Sequence, residues 1–448
     1  MEKSKKSLVL SIIIFTLVTL SMIGILVFVF FPRGDEEIPC ETEEDSLLKI
    51  DVDKSTSDEG NIDFELTFKD IEGEFTIYFA DSEKKALASY TPLDVVTITK
   101  EQNTVQYTDV VLPRDCAYIM TICLEGNEFF AKIPEEYLIS EKLKYKYGAL
   151  SDIHLNYGNY LDGALDFLDT QDVDFVGISG DLTYAGEKEY LELFNETIKD
   201  RDYKVYTTSG NHDQNAITSG EWLATINTTI KTDNEVVEIA ENGLDFVFKP
   251  NKAEDGVFVF LCQTRWYYPS EPQSTEYTIL QKEQLEWLRG VLEANKENNV
   301  FLFFHTFLSA PDGTQESAVG NLRNPGGYAY NLPYSYGSAD ETELRNLLKQ
   351  YKNVVFFSGH SHWMFEMEIY NEMLNVSSYG GEYGYMVHIP SISAPRWIGE
   401  LDTYRTEKIG DASEGWIVEV YDEYIILIPV DFISQAFYTE YIKMIPLS

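Results

Sequence analysis

The sequence predicts an α/β domain over residues 145–448, preceded by a small all-β sandwich and an N-terminal transmembrane helix. Three observations predict it. Apolar strands alternate with amphipathic helices from about Leu143 onward, seven short β-rich runs crowd residues 47–140, and Leu8–Phe31 holds 24 consecutive residues without a charge.

The apolar run comes first along the chain. A helix of that length spans about 36 Å at ~1.5 Å per residue, against a hydrocarbon core of about 30 Å. Lys3, Lys5 and Lys6 precede it and Asp35, Glu36 and Glu37 follow it. By the positive-inside rule, residues 1–7 are a cytoplasmic tail, 8–31 the anchor, and the chain beyond Pro32 lies outside the cytoplasm. The run is longer than the apolar part of a cleaved signal peptide and no A-x-A-like site follows it, so the expectation is a single-pass cell-membrane protein. Residues 32–46 are acidic, lack apolar periodicity and read as a stalk.

The β-rich runs are Leu48–Val52, Ile62–Phe68, Phe75–Ala80, Val95–Thr99, Thr104–Leu112, Ala117–Leu124 and Phe129–Ile133, with turn signals such as Asp58-Glu59-Gly60 between them. Strands of this length and spacing predict an antiparallel sandwich of immunoglobulin or fibronectin type over 47–140. It carries no cluster of titratable residues, which suits a spacer or docking role. The four cysteines, Cys40, Cys116, Cys123 and Cys262, match no zinc spacing. Cys116 and Cys123 bracket one strand with side chains on opposite faces, so buried thiols are as good a reading as a bridge.

In the α/β region three helices show apolar stripes: Leu191, Phe194 and Ile198 in 187–199; Leu285, Leu288 and Leu292 in 282–295; Leu344, Leu347, Leu348 and Tyr351 in 341–351. The strands carry more information, because each runs into a polar cluster. Tyr145–Leu150 leads to Asp152-Ile153-His154, Val173–Ile178 to Gly180-Asp181, Lys204–Thr208 to Gly210-Asn211-His212-Asp213, Val300–Phe304 to His305, and Val354–Phe357 to Gly359-His360-Ser361-His362. Ligands of α/β sheets bind beyond the carboxyl ends of strands, so five loops are expected to converge. Five of the six histidines sit in these clusters. Core histidines scattered at random would not choose strand ends. The sixth, His388, reads as structural.

Taken in order, these clusters resemble the signature of the calcineurin-like metallophosphoesterase superfamily. The resemblance covers residues 145–448 and implies two β-sheets packed face to face, flanked by helices, with two metal ions at the strand ends. It implies that Asp152, His154, Asp181 and His362 hold the first ion and that Asp181, Asn211, His305 and His360 hold the second. Carboxylate and imidazole donors suit divalent or trivalent Mn, Fe or Zn. Two such ions clamp a phosphoryl oxygen and lower the pKa of a bridging water toward ~7, giving a hydroxide that attacks phosphorus. His212 is not needed as a ligand and is the candidate general acid, with Asp213 orienting its ring. The Gly180-Asp181-Leu182-Thr183-Tyr184 stretch is like that of purple acid phosphatases, whose tyrosine is a ligand. Here His154 fills that coordination place, so Tyr184 reads as a structural or pocket-lining residue and not as a ligand. The sandwich is similar to the accessory domain of some purple acid phosphatases.

The charge fits this picture. With 34 basic and 75 acidic residues the net charge is −41, which repels nucleic-acid phosphates and argues against nucleic acid as a partner. A phosphate site on such a body needs local positive charge, and metal ions supply it. The expected partner is therefore a small phosphate mono- or diester. The alternative from another class is a non-catalytic adhesion or receptor ectodomain that keeps the metals for stability. Arg265, Arg323, Tyr328 and Arg396, together with the Pro325–Gly337 loop, could meet substrate; the arginines and Tyr328 read first as surface or packing residues.

Overall fold

The computed structural model describes residues 47–448 other than 215, 217–219, 221, 223–232, 253–255, 265–279, 309–338, 369–374, 399–405, 409–411 and 448. The expected transmembrane helix Leu8–Phe31, its tail and the stalk lie outside the described residues, as do Arg265, Arg323, Tyr328 and the Pro325–Gly337 loop. Among the described residues no helix is long and apolar enough to cross a membrane.

The β-rich segment forms seven strands: β1 (Leu48–Val52), β2 (Asn61–Phe68), β3 (Gly73–Ala80), β4 (Asp94–Ile98), β5 (Thr104–Val111), β6 (Tyr118–Cys123) and β7 (Glu128–Lys132). They make two antiparallel sheets, ordered β1-β2-β5 and β4-β3-β6-β7. Alternation explains the pairing. Ile62, Phe64, Leu66 and Phe68 on β2 point one way and meet Phe75, Ile77 and Phe79 of β3 in a core of their own. Cys116, Cys123 and Cys262 are free thiols.

Next along the chain come β8 (Tyr145–Leu150), α1 (Tyr160–Asp169), β9 (Phe175–Ile178), α2 (Lys188–Ile198), β10 (Lys204–Thr207), β11 (Val236–Ile239), β12 (Phe246–Phe248) and β13 (Gly256–Leu261). They are followed by α3 (Lys282–Ala294), β14 (Asn299–Phe304), α4 (Ala339–Gln350), β15 (Val354–Ser358), β16 (Val376–Ser377) and β17 (Tyr385–His388). Then come β18 (Arg396–Ile398), β19 (Thr406–Lys408), β20 (Glu414–Val420), β21 (Tyr424–Asp431), β22 (Ala436–Phe437) and β23 (Lys443–Pro446). One sheet is ordered β10-β9-β8-β20-β21-β22, with β23 also on β21; the other is ordered β11-β12-β13-β14-β15-β17-β16. β8, β9 and β10 are parallel in the first, and β13, β14, β15 and β17 in the second.

The two sheets face each other across an aromatic layer. Along β13 to β15, Phe258, Phe260, Phe301, Phe303 and Phe357 belong to the core shared with the first sheet, whereas Val257, Val259, Leu261, Val300, Leu302 and Val354 pack with Leu285, Leu288 and Leu292 of α3 and Leu344, Leu347 and Leu348 of α4. The period of two thus sorts alternate residues to the two faces, most rings inward, with Phe304 and Phe356 joining the aliphatic chains on the helix side and Val355 the inner layer. Tyr147 of β8 lies within 5.0–6.4 Å of the rings of Phe175, Phe258, Phe301, Phe303 and Phe357.

The sandwich is fastened to the first of these sheets. The rings of Tyr90 and Phe437 meet at 4.8 Å, Thr91 N–H donates to the Phe437 carbonyl at 2.9 Å, and the Thr439 hydroxyl donates to the Thr91 carbonyl at 2.6 Å.

Candidate metal centre

Parallel strands deliver their C-terminal ends to one place. β8, β9 and β10 of one sheet and β14 and β15 of the other all end there, and the residues just beyond them hold two overlapping groups of donors. In the first, Asp152, His154, Asp181 and His362 each offer an atom within 4.8 Å of the others; in the second, Asp181, His305 and His360 do so. All are buried except His360, which is partly so. Asp181 belongs to both. Asn211 joins the second group through its Oδ1, 3.1 Å from His305 Nε2.

The backbone is bent to aim these side chains. Asp152, His154, Asp181, His360 and His362 all have left-handed φ values, between 40° and 69°. Non-glycine residues adopt this region at a cost, and such residues gather where function demands it. Close approach does the rest. A Cβ on Gly359 would fall 1.7 Å from Ser151 Oγ and 2.4 Å from Asp152 Oδ2, and one on Gly210 would fall 2.1 Å from Asp181 Oδ1. Only glycine fits at either place.

The hydrogen bonds assign the tautomers. Carbonyl oxygens accept and cannot donate, so the ring nitrogen beside one carries the hydrogen. Nδ1 of His154 lies 3.3 Å from the Thr183 carbonyl, Nδ1 of His362 3.0 Å from that of Ala394, and Nδ1 of His305 2.7 Å from that of Ser179. Their Nε2 atoms point inward, and in a neutral ring each is a bare lone pair. Those of His154 and His362 face each other at 3.2 Å, and that of His305 lies 3.1 Å from Asp181 Oδ2.

The aspartates show the same pattern. Asp152 Oδ2 accepts the His360 N–H and Asp181 Oδ1 accepts the His212 N–H, each at 2.9 Å. The other oxygens, Asp152 Oδ1 and Asp181 Oδ2, are buried against ring nitrogens that in neutral rings offer them no hydrogen, Nε2 of His362 at 3.0 Å and Nε2 of His305 at 3.1 Å. Orphaned acceptors and opposed lone pairs in a dry site are unfavourable unless a cation sits among them. The donor set fits two metal ions. Burial opposes ionisation of Asp152 and Asp181, but the histidines around them hold both well below the usual carboxylate range. Burial lowers His154 and His360 to about 3, keeping them neutral and able to ligate. His305 is the exception: burial opposes its charge, yet Asp181 and Asp152 raise it to about 9. With no metal bound, a proton there balances the two carboxylates, and a metal would displace it.

His212 sits at the rim, partly buried, with Nδ1 2.7 Å from the Tyr184 carbonyl. The expectation that Asp213 orients this ring fails. The Asp213 carboxylate accepts four hydrogen bonds, from Leu182 N–H (3.2 Å), Thr183 N–H (3.0 Å), the Thr183 hydroxyl (2.9 Å) and Gly210 N–H (3.0 Å). It ties the Gly180–Tyr184 loop to the Gly210–Asp213 loop, and the Tyr184 backbone takes the role expected of it. Burial and the neighbouring Asp181 raise its pKa to about 6. The Tyr184 ring is 47% exposed and stacks on His212 at 4.9 Å. His388 is structural, as expected: Nδ1 lies 3.2 Å from the Ser361 hydroxyl and Nε2 2.9 Å from the Trp363 carbonyl.

Sequence reasoning passes over the serines that hold these loops. Ser151 Oγ donates to the Ser179 carbonyl at 3.2 Å, and Ser179 Oγ crosses between sheets to the Phe304 carbonyl at 2.9 Å. The signal was available, since Ser151, Ser179, Ser209 and Ser358 each stand one or two places before a cluster.

Residues 145–364 match the family model described as calcineurin-like phosphoesterase, a stretch that contains every donor above. These residues are a calcineurin-like phosphoesterase domain. Among solved structures, the chain is similar to the purple acid phosphatase PPD1 from seeds of yellow lupin (Lupinus luteus), at 13% identity over 85% of this chain and 72% of that one, with a TM-score of 0.41. It is also similar to GAP50, the anchor in the inner membrane complex of Plasmodium, at 13% identity over 68% of this chain and 90% of that one, with a TM-score of 0.38. No curated protein matches the chain. The phosphoesterase domain and its buried His/Asp cluster together fit a dinuclear metal site.

Proposed function

We propose that the phosphoesterase domain hydrolyses small phosphate mono- or diesters at two metal ions, and does so outside the cytoplasm at the end of a membrane anchor. Asp152, His154, Asp181 and His362 would hold one ion, and Asp181, Asn211, His305 and His360 the other. Ions in such a pair polarise phosphoryl oxygens and render water acidic enough to serve as nucleophile near neutral pH. The observation that carries the reading is the pair of inward-facing Nε2 atoms of His154 and His362 at 3.2 Å beside the buried Oδ1 of Asp152 and Oδ2 of Asp181.

The chain's own part is positioning and proton transfer. The bond from His212 N–H to Asp181 Oδ1 fixes the rim residue to the donor set, and the Tyr184 carbonyl takes its Nδ1 hydrogen. Nε2 is then the nitrogen that gives a proton to the departing oxygen. Asp213, by joining the two loops, keeps both in register. The Lys-flanked Leu8–Phe31 run supports the anchor and the orientation.

The test is turnover by purified protein on phosphate mono- and diesters after loading with Mn, Zn or Fe. Hydrolysis that needs metal and vanishes on chelation is the expected result. Two tightly bound ions without turnover of any ester would favour the non-catalytic, metal-stabilised ectodomain.

A further inference from the structure

Four rings form a closed circuit on one side of the donor set. His154 meets Tyr157 at 5.7 Å and His212 at 5.0 Å; His212 meets Tyr184 at 4.9 Å; Tyr184 meets Tyr157 at 6.2 Å. The circuit runs outward from a buried donor to the surface, since His154 is 1% exposed, Tyr157 39% and Tyr184 47%. Tyr157 and Tyr184 are two of the few large apolar residues left exposed among those described. Local backbone bonds hold both. Tyr157 N–H donates to the His154 carbonyl at 2.8 Å, and the Tyr184 carbonyl faces His212 Nδ1.

We infer that Tyr157 and Tyr184 form a subsite for a planar ring on the leaving group of the substrate. The inference rests on the hydrolase reading above. If His212 protonates the departing oxygen, whatever that oxygen carries must continue past His212, and among the described residues the exposed rings there are Tyr184, stacked on His212, and Tyr157, which meets Tyr184. Tyrosine offers rigid, amphipathic contact area, and offset-stacked or edge-to-face ring pairs are favoured over other geometries. A neutral ring also suits a protein of net charge −41 better than a second anionic group would. Two sources share this chemistry: an aryl-bearing alcohol and a nucleoside.

Three monoesters of primary alcohols separate the terms, because their leaving groups depart with similar difficulty: benzyl phosphate, adenosine 5′-phosphate and butyl phosphate. The wild type is expected to prefer at least one ring-bearing ester over butyl phosphate in kcat/KM. The doubly substituted Tyr157→Leu, Tyr184→Leu protein is expected to lose that preference by about tenfold, mostly in KM, the size that ring stacking gives. Tyr184→Phe should keep it. A loss confined to benzyl phosphate points to an aryl ester, and one confined to adenosine 5′-phosphate to a nucleoside. Equal losses on all three would show that the tyrosines only position His212, and an unchanged preference would show that they do not touch substrate; either overturns the inference.

Calorimetric titration of the metal-loaded protein with benzylphosphonate and butylphosphonate reads the same subsite without turnover. Tighter benzylphosphonate binding that the double variant abolishes, in a protein that hydrolyses nothing, would uphold the subsite and sink the hydrolase reading. Turnover without any ring preference would do the opposite.

Discussion

Nε2 of His154 and Nε2 of His362 stand 3.2 Å apart, while the other nitrogen of each ring faces a backbone carbonyl. Such a pair holds its geometry against lone-pair repulsion only because the loops that carry it are fixed elsewhere.

Asp181 donates to both groups, so its replacement should be felt twice. Asp181→Asn is expected to lower the metal content of both positions and abolish turnover, whereas Asn211→Ala should weaken mainly the second. Elemental analysis after desalting reads this directly. Near-full occupancy at both positions in Asp181→Asn would contradict a bridging role.

Gly359 lies under Asp152, and a methyl group there has nowhere to go. Gly359→Ala should push the His360–His362 loop away from β8. The expected cost is about 1–3 kcal/mol of stability, as for other overpacked sites, together with most of the bound metal. Denaturant titration and metal analysis on the same sample measure both, and a variant that keeps its metal would show that the loop has slack.

Glu414 is fully buried in β20, where its carboxyl accepts Phe365 N–H at 2.9 Å and the Tyr438 hydroxyl at 3.3 Å. Burial raises its pKa from 4.5 to about 8. The folded protein therefore keeps this proton after the unfolded chain has lost it. Stability should fall as pH rises from about 4.5 to about 8, by at most about 1.4 kcal/mol per pH unit. Glu414→Gln removes the titration while retaining a carbonyl for Phe365 and an amide donor for Tyr438. Thermal melts should show the variant gaining on the wild type steadily across that window; a constant gap would mean Glu414 is ionised in the folded state.

His212→Ala should retain both metals. General acid catalysis contributes typically ~10²–10⁴-fold where the departing oxygen needs a proton. Nitrophenyl esters, whose leaving group departs unaided, should lose little, and alkyl esters should lose within that range. Equal losses on both would make His212 a phosphate-positioning residue.

Protease added to intact cells should release everything beyond the stalk, given the Lys-flanked Leu8–Phe31 run. Protection of the phosphoesterase domain until lysis would reverse the proposed orientation.

Much of the site is legible in the sequence because its signals are local. Each donor follows its strand within a few residues, and strands β8, β9, β10, β14 and β15 are short apolar runs that announce themselves. The helix stripes are equally local, and α2, α3 and α4 begin and end within two residues of their expected limits. Two things are not local. β20 to β23 complete the first sheet by antiparallel pairing, with Trp416 opposite Ala149 and Val420 opposite Tyr145, and nothing near these residues in sequence points to partners so distant. Asp213 is adjacent to His212 in the chain, which suggests a pair, but its carboxylate turns to N–H groups that only the folded loops bring near.

The contact between Tyr90 and Phe437 has a consequence for self-association. β22 is the last strand of its sheet along the β10-to-β22 order, and such an edge presents unpaired backbone groups to any strand that passes. Ser89–Thr91 cover it: Phe437 N–H donates to the Ser89 carbonyl at 2.6 Å, and the Phe437 carbonyl accepts from Thr91 at 2.9 Å. The sandwich thus serves as a guard on an open edge. A chain shortened to begin after residue 140 would offer Ala436–Phe437 to its neighbours, and would be expected to pair with copies of itself before it lost any ability to bind metal.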